Sequence, residues 1–174
     1  IVGAITPYND PLNLVAHKVG PAIAAGNAVI VKPDSKTPLS ALELAKALQE
    51  AGLPDGVLQV VTGEGREVGN VLVEDPRVRL ISFTGGRATG EAISRQAGLK
   101  KVAMELGSNA PVIVLDDADL EQAVEANVSG AFWAAGQNCL HVQRLLIHED
   151  VYDEFKERFV AAAERYRLGP KLDE

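Results

Sequence analysis

The chain has 174 residues, 47% of them hydrophobic and 24% charged, with a formal net charge of −7. That length supports a packed core, the balance is that of a globular protein, and an acidic chain with no basic run argues against nucleic acid as a partner. One cysteine excludes an internal disulfide, no apolar run is long enough to cross a membrane, and no signal peptide is visible, so a cytoplasmic setting is expected.

Ile1-Val2-Gly3-Ala4-Ile5 reads as a buried strand. A strand at the first residue without an initiator methionine, and a tail over residues 168–174 that trails off after a helix, predict an internal piece of a longer polypeptide. Thr6-Pro7-Tyr8-Asn9-Asp10-Pro11 is rich in turn formers. A helix is predicted over residues 11–25, bent at Pro21 and stopped by Gly26-Asn27. Asn9 by itself reads as a turn residue or cap, and Asp10 equally as a helix N-cap. A second strand spans residues 28–31, followed by the loop Lys32-Pro33-Asp34-Ser35-Lys36-Thr37-Pro38 and a helix over 39–51.

A third strand is read over residues 56–61. The glycines that follow do not make a dinucleotide fingerprint, because Gly-x-Gly-x-x-Gly from Gly63 needs a glycine where Val68 stands. A loop leading into a helix over 67–73 is the better reading. A fourth strand over 78–83 runs into Thr84-Gly85-Gly86-Arg87-Ala88-Thr89-Gly90 and a helix to about residue 97. Strand, glycine-rich turn and helix N-terminus together can hold a phosphate, although glycines also make ordinary turns. A fifth strand over 100–104 leads into Glu105, a carboxylate in an apolar setting where the chain is expected to turn. Five alternations of strand and helix predict an α/β fold with a parallel, doubly wound sheet. Ligands bind at the carboxyl ends of such strands, which is where Lys32, Gly85 and Glu105 fall.

Beyond Gly107 a second piece begins, with a strand over 112–115 and a helix capped by Asp116-Asp117-Ala118-Asp119 that continues through Val124 towards Ala135. The acidic cluster has no fuller ligand set around it in sequence, and no metal is assigned to it. Gly136 turns the chain, a strand follows over 142–147, and an amphipathic helix over 151–166. His141 and His148 are given no chemistry. Cys139 lies on the connection, in Gly136-Gln137-Asn138-Cys139. A lone cysteine is often a small buried hydrophobe; on a connection it can also be a displayed nucleophile.

Two motifs together resemble the aldehyde dehydrogenase superfamily. Gly136-Gln137-Asn138-Cys139 is similar to its Gly-Gln-x-Cys nucleophile signature. Glu105-Leu106-Gly107-Ser108-Asn109-Ala110-Pro111 is similar to its Glu-Leu-Gly-Gly-x-x-Pro signature, with Ser108 in place of the second glycine. The resemblance extends over the whole chain. It implies part of a Rossmann-like NAD(P)-binding domain over 1–107 and the beginning of a second α/β catalytic domain over 108–174. Pro7-Tyr8-Asn9 resembles the family's Pro-Trp-Asn, and implies that Asn9 donates to an oxyanion. Cys139 is then the nucleophile, Glu105 the base that activates water, and Trp133 lies near the substrate funnel.

For the cofactor, the resemblance implies roles for Lys32 at the ribose and for Ser35, Gly85, Gly86, Gly90 and Leu106. Gly86 stands where serine is usual, and Ser35 where NAD-preferring members carry glutamate. Without that carboxylate, and with Lys32 and Lys36 nearby, NADP is favoured over NAD. The implied reaction is NAD(P)-dependent oxidation of an aldehyde to a carboxylate, on a small polar substrate of semialdehyde or lactaldehyde type, in a homodimer or homotetramer. Alternatives are a non-catalytic nucleotide-binding module, an isolated piece without activity, or a cofactor-free thiol hydrolase, which would need a histidine beside Cys139.

Overall fold

A computed structural model describes residues 1–170; the last part of the expected tail, 171–174, lies outside the described residues. The chain divides into two units, 1–107 and 108 onward. The first is built on five parallel strands, β1 (Val2–Ile5), β2 (Val29–Lys32), β3 (Leu58–Val60), β4 (Leu80–Gly85) and β5 (Lys101–Leu106), in the order β3-β2-β1-β4-β5. The parallel sheet predicted from the fivefold alternation is therefore present.

Side chains alternate across a strand, and here both faces are used. Val2, Ala4, Val29 and Val31 pack with Val15 and Val19 of α1 (Asn13–Ala24) and Ala41 of α2 (Leu39–Glu50). Ile81 and Phe83 pack on the other face with Leu72 and Val73 of α3 (Asn70–Glu74) and Ile93 of α4 (Arg87–Gln96). Gly3 sits where a Cβ would come within 3.0–3.1 Å of Ile81, Leu72 and Val78, so a side chain there would push the sheet off α3.

Several boundaries differ from the sequence reading, for identifiable reasons. Helix α1 starts at Asn13 rather than Pro11, and Asp10 accepts from the Asn13 side chain at 3.1 Å instead of capping a backbone N–H with its carboxylate. Pro21 lies inside α1 and removes one donor, while the helix closes past it through Ala25 N–H to the Pro21 carbonyl at 3.0 Å. A π-helical turn, Gly65–Gly69, precedes α3. Strands β4 and β5 run two residues beyond the expected ends because pairing continues through Thr84↔Glu105 and Gly85↔Leu106. Glu105 is thus a ladder residue on an edge strand and is exposed, rather than sitting in an apolar setting at a turn.

In the second unit, β6 (Pro111–Val114) and β7 (Arg144–Ile147) form a parallel pair beside α5 (Leu120–Phe132) and α6 (Tyr152–Ala163). Val114, Val124, Val128 and Phe155 make its core. Asp119 is the N-cap of α5, its carboxylate accepting from Gln122 N–H at 3.1 Å. The helix expected to reach Ala135 stops at Phe132. The next turn, Trp133–Gly136, carries left-handed Ala134 and Ala135.

Candidate active site

The strand order places β2 and β3 on one side of β1 and β4 and β5 on the other. The order reverses between β1 and β4, and the crevice at their carboxyl ends is where an open α/β sheet holds a ligand. Lys32 ends β2 and is buried, and its carbonyl accepts from Thr6 N–H at 3.2 Å. Thr6 keeps a buried hydroxyl with no hydrogen-bond partner among the described residues. Ser35 is exposed on the following loop. That loop is closed by the Asp34 carboxylate, which accepts from Lys36 N–H at 2.9 Å, and the Lys36 ammonium lies 5.7 Å over the Tyr8 ring.

The three glycines after β4 differ in physical role. A Cβ on Gly85 would come within 2.5 Å of the Phe83 ring, and one on Gly90 within 2.7 Å of Leu106. Both are glycines of close packing, and Leu106 is what α4 packs on. Gly86 is the extended residue before α4, with open space where its Cβ would be. The unpaired N–H groups at the start of α4 and the helix dipole there suit a phosphate. Beside α4 lies a cavity of 640 Å³ reaching Ile5, Gly65, Arg66, Asn70 and Thr89. A helix end suited to a phosphate, open space at Gly86 and an adjoining cavity are compatible in kind with a dinucleotide. A larger, mainly apolar groove of 790 Å³ lies over Ile30, Val61 and Val71, with Gln59, Glu67, Asp75 and Arg77 as its polar lining.

On the α1 face of the same sheet, Lys18 donates to the Ser82 hydroxyl at 3.1 Å. Lys18 is 9% exposed, and burial holds its ammonium below the ordinary lysine range, opposed by the charge of Glu105. Paired residues in a ladder share a face, so Ser82, Thr84 and Glu105 lie on one side. The sequence reading passed over Lys18. The signal was its helical spacing, three residues after Val15 and next to Val19, which puts it on the buried stripe. Asn9 lies half-buried on the segment between β1 and α1, and Asp10 follows it.

In the second unit, Cys139 is half-buried, and its thiol contacts the Asn138 side-chain oxygen at 3.7 Å. That oxygen also accepts from Leu140 N–H at 3.1 Å. His141 Nδ1 pairs with the Asn138 carbonyl. His148 Nδ1 accepts from Asp150 N–H at 3.3 Å and caps the turn Glu149–Val151. Both histidines of this unit thus pair elsewhere than with the thiol. Just upstream, Ala134 (φ 53°), Ala135 (φ 55°) and Gly136 (φ 72°) are left-handed in succession; each alanine there costs about 1–2 kcal/mol. Ser108 donates its hydroxyl to the Cys139 carbonyl at 2.5 Å, across 31 residues of chain. Trp133, expected near a substrate funnel, is exposed. The donor atoms of Asp116, His148 and Asp150 lie within 4.8 Å of one another, so the acidic cluster gains company from the β7 side that its sequence neighbours do not reveal.

The family model described as the aldehyde dehydrogenase family matches residues 1–174. The chain is 62% identical over 172 residues to aspartate-semialdehyde dehydrogenase 1 of Pseudomonas canavaninivorans, covering 99% of this chain and 36% of that protein. It is 48% identical over 174 residues to 3-sulfolactaldehyde dehydrogenase of Priestia aryabhattai, covering 100% of this chain and 36% of that protein. Among solved structures, glyceraldehyde-3-phosphate dehydrogenase of Methanocaldococcus jannaschii complexed with NADP superposes with a TM-score of 0.94 at 49% identity, over 99% of this chain and 39% of that one. The chain thus spans a little over a third of the length of these relatives. On its full-length match and these identities, the chain belongs to the aldehyde dehydrogenase family.

Proposed function

We propose that the protein oxidises an aldehyde to a carboxylate with NAD(P) and that Cys139 is its nucleophile. The observation that carries this is that a member of this family carries its one thiol at the Gly-Gln-x-Cys position, on the connection between α5 and β7. The Cys139 sulfur adds to the aldehyde carbon to give a thiohemiacetal. The Asn9 amide and the Cys139 backbone N–H stabilise the oxyanion. When bound, NAD(P) supplies a hydride acceptor. Loss of hydride and a proton from the thiohemiacetal leaves an acyl thioester on Cys139. Glu105 takes a proton from water, which hydrolyses that thioester and returns the thiol.

Lys32, Ser35, Gly85, Gly86 and Gly90 hold the cofactor, with Leu106 setting the distance between α4 and β5. NADP is the favoured form. Ser35 brings no carboxylate against a 2′-phosphate, and the Methanocaldococcus neighbour is a complex with NADP. The substrate is a small polar aldehyde, in keeping with relatives named for a semialdehyde and for sulfolactaldehyde. The protein works in the cytoplasm as a homodimer or homotetramer.

The test is Glu105→Gln in the protein that carries this chain. It should release about one equivalent of reduced cofactor per site, then stall with an acyl group on the Cys139 peptide visible by mass spectrometry; steady cycling lowered less than about tenfold would refute the role of Glu105.

A further inference from the structure

Ser108 occupies the position at which the family signature usually has a glycine, and a glycine has no side chain with which to make the bond seen here. Its hydroxyl reaches from the segment before β6 to the carbonyl of Cys139. The loop it reaches is under tension, because Ala134 and Ala135 are left-handed without being glycine. Such a conformation persists only where outside contacts over-determine it. The Ser108 bond tethers the same loop a few residues further on, at the carbonyl of Cys139 itself. Fixing that carbonyl fixes the peptide plane after Cys139. It limits how the Cα–Cβ bond, and with it the thiol, can swing.

We propose that Ser108 is a positioning residue for Cys139. Its hydroxyl holds a strained loop in one conformation and so holds the thiol in one presentation. This rests on the reading of Cys139 as the nucleophile. The bond is a difference between this chain and the glycine-bearing signature, so its effect can be read by restoring the glycine.

The experiment compares Ser108→Ala, Ser108→Gly and Ser108→Thr in the protein that carries this chain. The first readout is the rate of alkylation of Cys139 by iodoacetamide, followed on its peptide by mass spectrometry. The second is kcat and KM for the aldehyde across pH. Ser108→Ala and Ser108→Gly should lower kcat about fivefold, the factor one net hydrogen bond is worth, with the aldehyde KM within about twofold. The alkylation rate should change by a similar factor, and Ser108→Thr, which keeps the hydroxyl, should restore both. With Ala135→Gly relieving the strain, the effect of Ser108→Ala should shrink, because the two act on one loop.

Alkylation and kcat unchanged in Ser108→Ala would overturn the proposal, as would a Ser108→Thr variant that behaves like alanine. Should Cys139 not be the nucleophile, Cys139→Ala keeps turning over while the alkylation readout still reports on the loop, so the two failures are told apart.

Discussion

The Lys18 ammonium donates from α1 to the Ser82 hydroxyl on β4 at 3.1 Å, on the sheet face that also carries Glu105. This is a cation on the buried stripe of a helix. Its burial disfavours the charged form, and Glu105 compensates in part. Between its lowered folded pKa and the ordinary lysine value of about 10.4, the unfolded chain binds more protons than the folded one, so stability rises with pH across that window. Lys18→Met should abolish this rise. Thermal midpoints measured from pH 7 to 10.5 should converge between parent and variant as pH increases; parallel curves would show that Lys18 is not buried as a cation.

Gly86 and Gly90 make opposite predictions four residues apart. Gly90→Ala must push Leu106 aside, and should cost about 1–3 kcal/mol. It should also weaken nucleotide binding by shifting α4. Gly86→Ser meets open space and offers a hydroxyl at the helix N-terminus. It should leave the thermal midpoint unchanged and tighten NADP about fivefold in a fluorescence titration. A destabilised Gly86→Ser, or an unaffected Gly90→Ala, would contradict the packing described for α4.

Asp75 accepts from the backbone N–H, Nε and Nη2 of Arg77, which hold its carboxyl well below the usual carboxylate range. A depressed folded pKa gives stability that is present above about pH 4 and is lost as pH falls below it. Asp75→Asn should therefore lower the midpoint at pH 7 and flatten the acid limb below pH 4. The pair is exposed, and added salt should shrink the difference. Identical acid limbs would mean that the unfolded chain keeps this pairing.

Ser35 is exposed on the loop after β2, with no carboxylate of its own. Placing one there with Ser35→Glu should lower kcat/KM for NADP by about tenfold or more through repulsion of the 2′-phosphate, while NAD is affected less. Equal losses for both cofactors would show that this loop does not read the ribose.

Much of the fold was legible because its signals are local. Alternating strands and helices announced the parallel sheet, and Val2, Ala4, Val29 and Val31 lie on the face that their spacing requires. What was not legible depends on pairing and distance. Glu105 was placed at a turn because nothing in sequence marks a strand as continuing, whereas pairing with Thr84 carries β5 past it. Ala134 and Ala135 are good helix formers by propensity, yet local context puts both in the left-handed region. The Ser108–Cys139 bond spans 31 residues. Asp116 and His148 meet only because β6 and β7 pair in register, Val114 against Ile147. Lys18 was missed for a different reason, since a lysine suggests solvent unless its helical spacing is followed.

The most direct test of the central claim is the appearance of reduced cofactor with a panel of small polar aldehydes and NADP or NAD, in the protein carrying this chain and in its Cys139→Ala variant. Turnover is expected in the parent, faster with NADP, with a loss of at least about a thousandfold in a variant that still binds nucleotide. A Cys139→Ala protein that turns over at the parental rate, or a folded parent that binds nucleotide and oxidises none of the aldehydes, would contradict it.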